Sequence, residues 1–118
     1  METTTQGVQL SFYTHARARH DGKLVFEWLL EHARSQGIDG GSAFRAICGF
    51  GRHGVLREEQ FFELADDLAV KVEFLLSEAQ SQALLQTVRE SGVDAVFAIA
   101  PASFGILGTT PTPRCPRC

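Results

Sequence analysis

The residues best suited to chemistry gather in one stretch, Gly41-Ser-Ala-Phe-Arg-Ala-Ile-Cys-Gly-Phe-Gly-Arg-His-Gly54. Gly49, Gly51 and Gly54 free the backbone to take conformations barred to other residues, and Arg45, Arg52 and His53 put positive charge beside it. Exposed backbone N–H groups and guanidinium forks both suit a phosphate or another anion. The same residues would also serve a solvated, hairpin-like turn, so the stretch alone leaves both readings open. His20 resembles His53 in adjoining glycine and basic residues, in His20-Asp-Gly-Lys23.

A second candidate lies at the other end of the chain, in Cys115-Pro-Arg-Cys118. Two thiols at this spacing can close a strained disulfide or supply half of a zinc site. A structural zinc needs about four ligands, and no second pair is near, so a metal is not expected. The pair is then either two incidental cysteines or the sensor of a redox- or metal-responsive binding protein, as a redox toggle on a tail or as part of a metal site that the tails of several subunits would have to complete. No set of residues suits catalysis. There is no nucleophile-elbow serine and no His-Glu-x-x-His pair, and His15, His20, His32 and His53 lack ligand spacing. The adjacent acids Glu58-Glu59 and Asp66-Asp67 read as solvated turns. A binding protein rather than an enzyme is the expectation.

The elements that would position these residues follow from periodicity. A chain of 118 residues with 44% hydrophobic residues is one domain with a real core. Its net charge of −3 argues against a large nucleic-acid footprint. No apolar run is long enough to span a bilayer, and Met-Glu-Thr-Thr-Thr-Gln lacks the pattern of a signal peptide, so a cytoplasmic location is expected. Residues 1–6 are polar and read as disordered. Val8, Leu10 and Phe12 alternate with Gln9, Ser11 and Tyr13, the pattern of a half-buried strand, and Thr14 to Asp21 reads as a loop. Phe26, Leu29, Leu30 and Ala33 then form one helix face, with Asp21 placed to cap its start and Gly37 its end. Trp28 sits at the margin of that face, either as a core-edge residue or as a subunit contact.

A second strand follows Gly41. Phe44, Ala46 and Cys48 share one face, with Cys48 as a small buried residue; Ala43, Arg45 and Ile47 share the other. Residues 49–57 form the glycine-rich loop, and Glu58 to Leu64 suits a short helical turn. Leu68 to Leu76 alternates most clearly of all. Ser77-Glu-Ala-Gln80 is a capping box for a helix carrying Leu84, Leu85 and Val88, ended by Gly92. Asp94 to Ala100 is a last strand stopped by Pro101. Residues 101–118 read as a flexible tail.

Strand, helix, strand, strand, helix, strand is the ferredoxin-like βαββαβ unit: an α+β fold with an antiparallel four-stranded sheet and both helices on one face. The open face would carry Tyr13, Arg45, Ile47, Lys71, Glu73 and Leu75. A surface this apolar suggests cover by other copies of the chain.

With these residues in view, the chain resembles a known family. His20-Asp-Gly-Lys23, Ala33-Arg34-x-x-Gly37, Gly40, Arg45, Ile47-Cys-Gly-Phe-Gly51, Leu64-Ala-Asp-Asp-Leu68 and Val70-Lys-Val-Glu73 run in the order and spacing of domain-of-unknown-function family 190. That uncharacterised bacterial group is a branch of the PII-like superfamily, and the similarity covers residues 7–100, the expected domain. The resemblance implies a homotrimer that binds a small effector in inter-subunit clefts, usually an adenine nucleotide (ATP, ADP, AMP or cyclic AMP). It implies a regulator of a partner such as a membrane transporter, for bicarbonate or another ion, with recruitment to the membrane through that partner and no nucleic acid. Nucleotide phosphates would meet Arg45, Gly49, Gly51 and Arg52, with Lys23 or His20 closing the site from a helix start. Cys115 and Cys118 resemble a redox-sensitive C-terminal extension found in some relatives. The chain departs from the family pattern at Ala46, where glycine is usual, at Val55-Leu56-Arg57, at Ala69, where proline is usual, and at Lys71.

Overall fold

A computed structural model describes residues 2–50 and 68–108 of the chain. Strand β1 (Glu2–His15) is followed by two short strands, β2 (Arg19–His20) and β3 (Lys23–Leu24), then helix α1 (Val25–Ser35) and strand β4 (Ser42–Arg45). Strand β5 (Ala69–Leu76), helix α2 (Glu78–Ser91) and strand β6 (Val96–Leu107) complete it. The main sheet is antiparallel with the order β4-β5-β1-β6, which is the ferredoxin-like arrangement expected.

The alternation of β1 and β5 determines which side is dry. Val8 faces Leu76, Leu10 faces Phe74, Phe12 faces Val72 and Thr14 faces Val70, and all eight side chains are buried against the helices. Leu29, Trp28, Val25 and Ala33 of α1 and Leu84, Leu85 and Val88 of α2 close this core. Phe12 and Phe74 meet edge to face with ring centroids 6.4 Å apart.

Both helix ends of the sequence reading hold where glycine supplies them. Gly37 has φ +83° and ends α1 in a Schellman motif: Ile38 N donates to Ala33 O at 3.1 Å and Gly37 N to Arg34 O at 3.1 Å. At α2 the capping box is complete, with Gln80 N donating to Ser77 Oγ and Ser77 N to Gln80 Oε1, each at 3.1 Å. Ser77→Ala should therefore cost about 1 kcal/mol in urea unfolding.

Several expectations are corrected. Asp21 is not the helix cap. It has φ 51° and precedes Gly22 at φ 79°, so the two form the tight turn of a β2–β3 hairpin, and Leu24 precedes α1 without a side-chain cap. Gly22→Val should destabilise the chain by about 1–2 kcal/mol, because a β-branched residue resists positive φ, and chemical unfolding would measure it. Trp28 is buried and belongs to the core edge. Cys48 is exposed, not buried, because β4 stops at Arg45 and the chain leaves the sheet.

The ends of the chain also differ from expectation. β1 begins at Glu2, so the polar Thr3-Thr4-Thr5 run is strand; threonine is β-branched and suits one. β6 does not stop at Pro101 but continues to Leu107. It is an edge strand, where a proline's missing N–H can face away from the ladder.

The faces of β4 are the reverse of those expected. Ala43 lies opposite Val72 and Arg45 opposite Val70, so both stand on the helix side. Phe44 and Ser42 lie opposite Lys71 and Glu73, on the open side. The open face thus carries Tyr13, Phe44, Lys71, Glu73, Leu75 and Val96, without Arg45; Ile47 lies beyond the strand.

Candidate functional site

One end of the sheet collects the described candidates. β1 ends there, β5 and β6 begin there and β4 ends there, as the pairs His15–Ala69, Tyr13–Val96 and Arg45–Val70 require. Ala46 N donates to Ala69 O at 2.9 Å and Ala16 N to Leu68 O at 3.0 Å, which seals this end. The β2–β3 hairpin grows from it, held by Ala18 N to His15 O at 3.1 Å and Val25 N to Ala18 O at 2.8 Å. The N-terminus of α1, whose N–H groups no N-cap side chain caps, therefore belongs to the same end.

Arg45 is exposed at the last position of β4 and has no ion-pair partner among the described residues. Its row across the sheet is Arg45, Val70 and Thr14, all on the helix side. Thr14 Oγ1 is buried and finds no hydrogen-bond partner among the described residues. Gly49 lies four residues beyond Arg45, where the chain has left the sheet, and is exposed.

Lys23 and His20 are already engaged. Lys23 Nζ donates to Glu31 Oε2, one helix turn and more along α1. The hydrogen bond to Glu31, and then its charge, with a lesser contribution from Glu27, raise the Lys23 ammonium above the ordinary 10.5. A raised ammonium contributes its stabilisation fully below the unfolded value and loses it as pH rises through the higher folded value. The stability deficit of Lys23→Met, followed by urea unfolding, should thus be constant around neutral pH and close only on the alkaline side of 10.5. The pair is exposed, so the deficit should be small.

His20 meets Trp28 edge-on at 5.2 Å, and Trp28 meets the ring of His32 at 4.3 Å. His20 Nε2 is also 3.4 Å from Asp21 Oδ2. The hairpin is thereby fastened to α1 by one ion pair and one aromatic contact. His32 is half-buried against the tryptophan, its ring tilted 49° to the indole. Sequence reasoning missed this hairpin and Thr14, although Asp21-Gly22 between two short extended segments is a strong turn signal.

Of the sequence-predicted residues, the fold brings Arg45, Gly49, His20 and Lys23 to one end of the sheet. No hydrogen bond or ion pair joins Arg45 to the hairpin among the described residues. Gly51, Arg52, His53 and the Glu58–Leu64 turn lie outside the described residues, as do Cys115 and Cys118. Among the described residues no cluster of histidine, cysteine and acid side chains could hold a metal, and no helix is long and apolar enough to cross a membrane.

Comparison with known proteins agrees with this architecture. The family model DUF190, described as Uncharacterized ACR, matches residues 7–103. A UPF0166 protein of Aquifex aeolicus is 31% identical over 80 residues, covering 68% of this chain and 76% of its own length. A UPF0166 protein of Methanocaldococcus jannaschii is 30% identical over 64 residues, covering 54% and 58%. Among solved structures, CPII of Thiomonas intermedia K12, a nitrogen regulatory PII-like protein bound to ADP, AMP and bicarbonate, superposes with a TM-score of 0.63 at 12% identity. The match covers 87% of this chain and 99% of CPII. At that identity it is the fold that is shared.

Proposed function

The chain belongs to the DUF190 family, and on that premise, with its PII-like fold, we propose that it is a signalling protein that binds an adenine nucleotide and regulates a partner. The observation that carries this reading is Arg45: an exposed guanidinium without a described acid partner, at the sheet end from which the glycine-rich stretch departs. Phosphate oxygens would take its planar fork and the backbone N–H groups of Gly49 and Gly51, with Arg52 adding charge. Lys23 and His20 would contribute only by exchanging their contacts to Glu31 and Trp28, which makes the hairpin the natural moving part. Binding would then bias the segment between β4 and β5, and with it the surface shown to a partner. That partner is a membrane transporter, for bicarbonate or another ion, or another regulated protein in the cytoplasm. CPII, which shares the fold, binds ADP and AMP, and this supports the ligand class.

The assembly in this reading is a homotrimer with clefts between subunits. Support comes from the open sheet face, where Tyr13, Phe44, Leu75 and Val96 each remain about half exposed. Lys71 bridges Phe44, with Nζ 5.2 Å from the ring centroid, to Glu73 at 3.0 Å, so among the described residues the charges in the middle of that face are already paired. Calorimetry of the full chain against ATP, ADP, AMP and cyclic AMP tests the ligand. A saturable heat with at least one is expected; no heat from any of them at millimolar concentration sinks the nucleotide reading. The pair Cys115 and Cys118 is assigned to a redox-responsive extension. If Cys115→Ser/Cys118→Ser behaves like the parent in oxidant, by oligomeric state and partner binding, that assignment fails.

A further inference from the structure

The β2–β3 hairpin is a small sheet of its own, apart from the main one. A two-stranded ribbon is at best marginally stable alone in water, so its order comes from what it rests on. Its base is tied by the bonds of Ala18 and Val25, and its tip is the tight turn of Asp21 and Gly22. Between base and tip it rests on α1. His20 and Lys23 are cross-strand partners and therefore share one face of the hairpin. That face meets α1: His20 lies against Trp28, and Lys23 against Glu31, three residues further along the same helix. Arg19 is engaged within the hairpin, where Nη1 donates to Gly22 O.

Magnitudes decide how firmly the hairpin is held. The Lys23–Glu31 pair is exposed, and such a pair shifts an equilibrium by about 1.5- to 5-fold. An edge-on ring contact like that of His20 with Trp28 is worth about 2- to 13-fold. One charge-assisted bond from an ammonium to a phosphate oxygen is worth about 10- to 150-fold. A phosphate within reach of Lys23 therefore outweighs either fastener and matches or exceeds the two together.

We propose that the hairpin is a strap, closed on α1 in the free chain and drawn off it when an anion at the sheet end takes Lys23 from Glu31. His20 and Lys23 stand on one short, tightly turned ribbon, so His20 leaves with Lys23. Trp28, which is 6% exposed in the closed form, is then uncovered on the side that His20 held, while His32 stays in contact with it. Glu31 thereby works against binding without touching the ligand: it holds Lys23 in the closed form, and the ligand must overcome that hold. Glu31 is a positioning residue, acting through Lys23. The inference rests on the nucleotide reading for its trigger; the closed strap and its two fasteners do not depend on it.

Trp28 is the one tryptophan of the chain, so its fluorescence reports the strap directly. Acrylamide should quench it weakly in the free parent and more strongly once ADP saturates the protein. Glu31→Gln should raise the quenching without any ligand and should tighten ADP binding by about 2- to 5-fold in calorimetry. A hairpin that is merely structural would give the opposite sign or no change in affinity. Glu78→Gln removes the same charge at the start of α2, beyond the far end of β5, and should alter neither quantity. Equal shielding of Trp28 in the free and the ADP-saturated parent would overturn the strap and leave the nucleotide reading intact. So would weaker ADP binding by Glu31→Gln. Absence of heat from every nucleotide would strike the nucleotide reading and the trigger with it; raised quenching of ligand-free Glu31→Gln would then still support the strap, and unchanged quenching would overturn it.

Discussion

Arg45→Ala should weaken nucleotide binding by about 1.5–3 kcal/mol, or roughly 10- to 150-fold in Kd, the loss expected when a charge-assisted bond to phosphate is removed. Arg45→Lys should recover only part of it, because an ammonium keeps the charge but not the planar fork. Stability should hardly change in either variant, since the side chain is exposed and has no described acid to leave behind. Lys23→Ala gives the contrast. Its ammonium is already held by Glu31, so the variant should lose less affinity than Arg45→Ala. Calorimetric titration of the three variants against the parent decides the matter. Equal loss from Lys23→Ala and Arg45→Ala would mean that the hairpin, not the sheet end, holds the phosphate.

The second large effect lies in the core. Phe74→Ala should cost about 3–5 kcal/mol, a large part of the total stability of a domain this size, as read by urea or thermal unfolding. Phe74 is 1% exposed, meets Phe12 edge to face and closes on the backbone of Gly41. A Cβ at Gly41 would sit 2.4 Å from its ring, with Leu30 also close. Gly41→Ala must therefore displace a fully buried aromatic ring, and it should destabilise although the substitution adds one methyl group to an exposed position. Combined with Phe74→Leu, it should cost less than the sum of the two single changes, because the smaller residue removes the clash. Strict additivity would show that the ring does not restrain Gly41.

What could be read from the sequence follows the length and regularity of each element. β5 alternates over eight residues, with Val70, Val72, Phe74 and Leu76 all buried, and that alternation settles its register. α2 announces its start with Ser77, through the hydrogen bonds of its capping box, and its end with Gly92, through a left-handed φ of 79°. β4 is the opposite case. It has four residues, all exposed, and its faces are set by pairing with β5 rather than by any pattern of its own. A one-residue shift reverses such a strand, which is how Arg45 and Phe44 came to exchange sides. The threonines of β1 and Pro101 of β6 misled for a shared reason: each is a poor core residue, and neither is barred from a strand outside the core.

For the site the division is similar. The sequence supplied the cations and the glycines, and the fold supplied their common location at one end of the sheet. Asp21 carried a signal that fits both a helix cap and a tight turn, and Gly22 decides for the turn through its positive φ. Thr14 could not have been found, because a threonine in an alternating strand gives no sign that its hydroxyl will be buried without a partner.

The central position of β1 has a consequence for the growing chain. Its two neighbours are β5 and β6, and the partners of Glu2 to Tyr13 in β6 are made roughly 90 residues later, at Val96 to Leu107, which at translation rates of about 5–20 residues per second is a wait of about 5–20 seconds. During that interval the nascent chain can assemble both helices on β1, β4 and β5, while one whole edge of β1 stays open. Only synthesis through Leu107 gives β1 its second neighbour. A ribosome stalled between α2 and β6 would hold out a nearly finished domain with an unprotected strand, and that is the point in its synthesis where this chain most needs a chaperone.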